Sequence, residues 1–182
     1  MKLMMQATQV VEKALMHWPW LQKKQWRHYL HRVQREAHLV ALLPQEKVLC
    51  IGAGYLPFTA LAWSQLTQTC VDAIDNQPEI VRQGRLWLDH NQLSQQVDIR
   101  CEEGCEVDAS RYSLIHLAAQ AAPQAQILEH LWPQLAPGTR VLIRLPHPWL
   151  KACYESLSLD SLQRQTAGCV LLQKNAEQWE VA

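Results

Sequence analysis

Apolar and polar positions along the chain follow two different rhythms. Between Pro19 and Leu42, Trp26, Leu30, Val33, Ala37 and Val40 recur at intervals of three and four. That is the spacing of one helix face. Lys23, Arg27 and Arg35 fall mostly away from this stripe. A shorter amphipathic helix is predicted over residues 3–17. The run "HWPW" separates the two, because proline lacks the N–H donor and biases the residue before it away from helical backbone.

After Pro44 the rhythm changes. Short apolar runs, "KVLCIG", "TCVDAID", "QVDIRCE", "YSLIHLA" and "TRVLIRLP", read as strands. Most are separated by helical stretches, "LPFTALAWSQL", "PEIVRQGRLWLDHNQL" and "PQAQILEHLWPQL". Strands alternating with helices imply parallel pairing, with helices on both faces of the sheet. "PWLKACYESL" supplies one more helix. "GCVLLQK" and "EQWEV", on either side of Asn175-Ala176, read as a terminal antiparallel hairpin. The expectation is an α/β fold with seven strands. It divides into an N-terminal helical extension or lid, residues 1–45, and a compact α/β unit, residues 46–182.

A chain of 182 residues with 48 % hydrophobic content suits one globular domain. No apolar run approaches the roughly 20 residues of a membrane span. The N-terminus lacks the apolar block of a signal peptide, so the expected location is the cytoplasm, with no membrane partner. Several of the six cysteines lie inside apolar runs and are expected to be reduced, buried thiols. Cys101 and Cys105 have no second ligand pair, and no metal is expected. Net charge is zero but uneven. Residues 1–47 hold eight Lys/Arg against three Asp/Glu, and the remainder holds nine against fourteen. The basic segment either docks on the acidic body or offers a surface to nucleic acid.

The chemistry centres on "VLCIGAGYLPFTALAW", Val48 to Trp63. Gly52 and Gly54 follow the first strand, where glycine permits a sharp turn and close approach to a ligand. The third glycine of a dinucleotide fingerprint is absent, which argues against a pyrophosphate grip. Asp75 ends the second strand, 21 residues after Gly54. An acid there can accept hydrogen bonds from two ribose hydroxyls; the plainer reading is a helix cap. Glu103, Gly104 and Cys105 follow the third strand and are candidates for the edge of a purine. The plainer reading is an acidic surface loop. Asp72, in mid-strand, has no evident role.

This order of elements resembles the Rossmann-like class I S-adenosylmethionine-dependent methyltransferases. Their usual acid two residues before the first glycine is Cys50 here. "IGAGYLPFTALA" is similar to the pattern of nicotianamine synthases, which also lacks that acid. Gly52, Gly54, Leu56, Pro57 and Thr59 fit, while Ala53, Tyr55 and Phe58 depart. A second block, "ILEHLWPQLAPGTRVLIRLPH", resembles the same family through His130, Leu131, Pro137, Gly138, Arg144 and His147. The resemblance implies S-adenosyl-L-methionine as cofactor. It places Gly52, Ala53, Gly54, Tyr55, Asp75, Asn76, Glu103, Gly104, Cys105, Ala118 and Gln120 around it. It also implies transfer of either a methyl or a 3-amino-3-carboxypropyl group to a small-molecule amine.

Tyr55 is a candidate aromatic face for the sulfonium, His147 a candidate base, and Arg144 a candidate carboxylate ligand. The N-terminal segment is much shorter than the helical domain of those synthases, so their acceptor-binding residues do not transfer. Two other readings remain: a nucleic-acid methyltransferase using the basic helix with Trp20, Trp26 and Tyr29, and a non-catalytic relative that binds a partner. Exposed tryptophans on the N-terminal helices would suit a homodimer.

Overall fold

The computed structural model describes residues 18–145, 165–166, 168–174 and 179–180. The predicted helices over 3–17 and in "PWLKACYESL", and the turn at Asn175-Ala176, lie outside them. The chain enters through helix α1 (Pro19–Leu39) and then alternates. β1 (Val48–Ile51), α2 (Phe58–Thr67), β2 (Val71–Asp75), α3 (Pro78–His90) and β3 (Val97–Cys101) form the first half. β4 (Leu114–Leu117), α4 (Gln124–Leu131, extended by a 3-10 turn over Trp132–Gln134) and β5 (Arg140–Arg144) form the second. β6 (Gln165–Thr166), β7 (Cys169–Lys174) and β8 (Trp179–Glu180) close the sheet.

The strand order is β3-β2-β1-β4-β5-β7-β6, with β8 paired to β7. The first five strands are parallel. β7 runs antiparallel to β5. The expected seven strands become eight among the described residues. The addition is β6, two residues long and too short to leave a period in the sequence. Helix α1 ends at Leu39 rather than Leu42. Ala41 adopts a positive φ of 48°, and the Arg140 guanidinium takes the carbonyls of Val40 and Ala41 instead.

The apolar strands are buried on both faces. Val48, Cys50, Val71, Ala73, Val97 and Ile99 pack toward α1, α2 and α3. Leu49, Ile51, Ile74, Ile115, Leu117 and Ile143 pack toward α4. Side chains alternate across a strand, so a strand covered on both faces reads as one unbroken apolar run. The cysteines divide. Cys50 and Cys169 are buried, Cys70 and Cys101 are exposed, and Cys105 is intermediate.

Helix α1 is fastened to α2 through Phe58, the one phenylalanine of the chain. Trp26 and Tyr29 of α1 tilt against its ring at 5.8 and 6.0 Å, and Trp87 of α3 meets it edge-on at 5.4 Å. Trp87 Nε1 also donates to Gln22 Oε1 of α1. One ring thus joins three helices. Phe58→Ala is expected to cost about 3–5 kcal/mol, and urea unfolding followed by tryptophan fluorescence measures it.

Candidate functional site

The sheet order reverses between β1 and β4, and open α/β sheets bind ligands in the crevice at such a point. A cleft of about 210 Å³ lies there. Gly52, Ala53, Gly54, Asp75, Asn76, Glu103, Gly104, Cys105, Ala118, Gln120 and Arg144 all line it. Tyr55 is not among the lining residues. It is only 8 % exposed. Gly54 and Tyr55 direct their carbonyls at α3, where a Cβ on Gly84 would lie 3.6 and 3.8 Å from the two oxygens. The loop therefore sits down on a bare Cα of α3. His147 lies outside the described residues.

Gly52 and Gly54 have φ of 90° and 69°, a region L side chains rarely adopt. A Cβ on Gly52 would also come within 3.0 Å of Ala118 Cβ. The amides of Gly52 and Ala53 bond to the Ile74 carbonyl at 2.9 and 3.0 Å. The Gly54 amide donates to Asp75 Oδ2 at 3.2 Å, and the Gln77 amide to Oδ1 at 3.1 Å. Asp75 thus ties the loop to β2 and holds the Gln77 amide just ahead of the next helix, without capping it as the plainer reading had it. Each carboxylate oxygen keeps acceptor capacity beyond that one bond. Burial pushes its carboxyl above the usual aspartate range, against the pull of the two amides.

The opposite wall is polar and comes from β5 and α1. Arg144 Nε and Nη2 both donate to Glu36 at 2.7 Å, and Nη1 donates to Thr59 Oγ1 at 2.8 Å. Arg144 lies 5.8 Å over the Tyr29 ring. Arg32 donates through Nε to Glu36 at 3.3 Å, and Cys169 donates its thiol at 3.4 Å. Burial opposes the charge of Glu36, but the Arg144 hydrogen bonds and the neighbouring positive charges hold its carboxyl below the usual range. Burial likewise opposes the charge of Arg144, and Glu36 keeps it cationic. The fork expected to bind a substrate carboxylate is therefore already filled by Glu36.

Sequence reasoning missed Glu36, Arg32 and the cleft-lining position of Tyr29. Glu36 carried a signal: it stands beside Val33, Ala37 and Val40 on a helix flank that turns inward. Asp72 now has an account. It accepts from Arg111 at 2.6 Å and from the Tyr112 hydroxyl. Asn76 reaches Glu103 at 3.3 Å.

Two buried groups beneath the cleft complete the picture. Burial pushes the Cys50 thiol well above its ordinary range, so the position of the usual acid holds a neutral group. His116 pairs in register with Cys50 across β1 and β4. Burial, then the Arg144 charge, lowers its pKa to about 3.

The bare Cα atoms at the turn, the residual acceptor capacity of Asp75 and an apolar floor under Gly104 from Ile51 and Ile127 suit a nucleoside-bearing ligand. With the sheet order, they define the class I fold of S-adenosylmethionine-dependent transferases. The nicotianamine synthase protein family matches residues 5–169, and the chain belongs to that family. No curated protein matches it in sequence.

Solved structures share the fold. A mutant of MtNAS in complex with S-adenosylmethionine aligns at a TM-score of 0.75 and 19 % identity, over 92 % of this chain and 72 % of that one. MtNAS in complex with MTA and tNA aligns at 0.63 and 23 % identity, over 79 % and 55 %. An RNA methyltransferase from Salinibacter ruber in complex with S-adenosyl-L-homocysteine aligns at 0.57 and 16 % identity, over 76 % and 86 %.

The buried pair is expected to behave as a unit. Glu36→Leu alone strands the Arg144 charge and should cost about 3–5 kcal/mol. Adding Arg144→Met should restore more than half of that in chemical denaturation. His116 sets a second expectation. Its folded pKa, about 3, lies below the ordinary 6.5. Between these values the unfolded chain takes up a proton that the fold refuses, so stability falls as pH falls below 6.5. The slope reaches at most about 1.4 kcal/mol per pH unit. His116→Phe should flatten the fall in urea midpoint between pH 6.5 and 4.5.

Proposed function

We propose that the protein transfers the 3-amino-3-carboxypropyl group of S-adenosylmethionine to the amine of a small-molecule acceptor. The observation that carries this reading is the meeting of the two family-like sequence blocks. Thr59 of the glycine-loop block and Arg144 of the second block bond at 2.8 Å on one wall of the cleft.

Each part of the cleft then has a task. Gly52 and Gly54, without side chains, let the backbone approach the ligand closely. Asp75 accepts the two ribose hydroxyls. Glu103, Gly104 and Cys105 flank the purine, with the Ile51 and Ile127 side chains beneath it. Arg32 bonds to Glu36 through Nε alone among the described residues, so its terminal N–H groups serve the carboxylate of the amino-acid end. Tyr29, rather than Tyr55, is the aromatic side chain at the cleft, and the cation over its ring is that of Arg144.

When bound, S-adenosylmethionine supplies an electrophilic carbon beside a sulfonium, where a new nitrogen–carbon bond forms as the carbon–sulfur bond breaks and leaves its electron pair on sulfur. The α1 wall aligns the incoming amine and keeps water out. Glu36, held ionised by its arginines, is a weak base. It acts by positioning Arg32 and Arg144. The family match and the fold shared with the S-adenosylmethionine complex of MtNAS support this reading.

Calorimetric titration tests it. The expected result is micromolar binding of S-adenosylmethionine, weakened at least tenfold by Asp75→Ala, since bonds to a charged acceptor contribute about 1.5–3 kcal/mol each. Ionised Asp75 is the binding form and its pKa is raised. Affinity should therefore decline on acidification earlier than an ordinary aspartate would dictate. With an amine acceptor, methylthioadenosine as product supports aminocarboxypropyl transfer. S-adenosylhomocysteine would indicate methyl transfer, and no binding at millimolar cofactor would overturn the reading.

A further inference from the structure

We infer that the outer face of α1 is a docking surface for single-stranded nucleic acid, separate from the transferase cleft. At about 100° per residue, Trp20, Lys23, Lys24, Arg27, His28, His31, Arg35 and His38 fall within one arc of about 140°. Every one of them is exposed. The apolar residues Trp26, Leu30, Val33, Ala37 and Val40 lie on the other side, packed on the body. The only acid of α1 is Glu36, which is buried against Arg144. The four fixed cations, Lys23, Lys24, Arg27 and Arg35, span about 18 Å of helix.

The basic segment does dock on the body, but through its apolar face and the Glu36–Arg144 pair rather than through its exposed cations. Among the described residues, the salt bridge made by α1 cations is that of Arg32 to Glu36. Lys23, Lys24, Arg27 and Arg35 make no ion pair or side-chain hydrogen bond there. The segments outside the described residues hold Lys2, Lys13, Lys151 and Arg164 against Glu12, Glu155, Asp160 and Glu177, a formal charge of zero from these side chains.

The chemistry of the face selects the partner. A membrane-surface helix needs a free apolar side to insert, and here that side is spent on the core. What remains is a line of cations ending in exposed indoles, Trp20 at 63 % and Trp18 at 54 % exposure. A cationic track tracks a phosphate backbone, and exposed aromatics stack on unpaired bases without regard to sequence. Trp26 and Tyr29 take no part, since both are packed on Phe58.

Fluorescence anisotropy of the full chain with a labelled twelve-residue oligouridine tests this. Four phosphate contacts on a single strand give a slope of log affinity against log salt of about −2.8. Affinity should therefore fall about 50-fold between 50 and 200 mM salt. The triple variant Lys23→Gln, Arg27→Gln, Arg35→Gln should reduce the slope to about −0.7. Trp20→Ala should weaken binding at least fivefold while leaving the slope unchanged. Unaltered S-adenosylmethionine binding by the variants shows that the fold and cleft are intact.

The inference is overturned if wild type gives no anisotropy change at 50 mM salt up to 100 µM protein, a concentration of about the weakest non-specific class. It is equally overturned if the triple variant binds as well as wild type. It also fails if the face instead binds phosphatidylserine vesicles in preference to the oligonucleotide. Self-association abolished by the triple variant, without oligonucleotide binding, would assign the face to a second copy of the chain.

Discussion

The contact on which the architecture turns is the two-bond pair between Glu36 and Arg144. Both side chains are almost wholly removed from water. Burying two charges is unfavourable unless their geometry is good and their remaining donors are satisfied. Here Thr59, Arg32 and Cys169 complete the set. The pair joins the last two turns of α1 to the end of β5. Arg140, at the start of the same strand, holds the helix terminus and also pairs with Glu46. One strand therefore fixes both the height and the direction of the only described helix outside the alternating α/β pattern.

That placement determines what the cleft is. The glycine loop, Asp75 and the residues after β3 make one end of the cleft, and sheet order alone places it there. The other end is made by α1 leaning over the strand termini. Tyr29 and Arg32 line the cleft because Glu36, one turn beyond Arg32 and two beyond Tyr29, is anchored below them. A buried ion pair at this location contributes little net stability compared with apolar packing. Its effect is to hold charged side chains in register beside a ligand site.

Much of this was legible in the sequence, and the failures have physical causes. The strands announced themselves because both sheet faces are covered, which leaves continuous apolar runs such as Val48–Ile51 and Leu114–Leu117. Gly52, Gly54 and Asp75 were legible because turn geometry and chain spacing are local properties. Tyr55 was expected to line the cofactor pocket, but a loop position does not reveal which way the chain settles; its carbonyl rests over Gly84, 29 residues away. Arg144 was expected to hold a substrate carboxylate; the carboxylate it holds is that of Glu36, 108 positions earlier, and no period connects them. The stripe on α1 was clear, whereas the end of the sheet it crosses is a tertiary fact.

Thr59, Glu36 and Arg144 come from three separate segments and satisfy one another inside a shared polar pocket. None can change to an apolar residue without orphaning a buried charge or donor on another segment. Divergence at this pocket is therefore expected to proceed by joint replacement: lineages keep all three, or exchange them together for a packed hydrocarbon set. In an alignment of relatives they would vary as a single inherited trait, even though they are scattered along more than half of the chain.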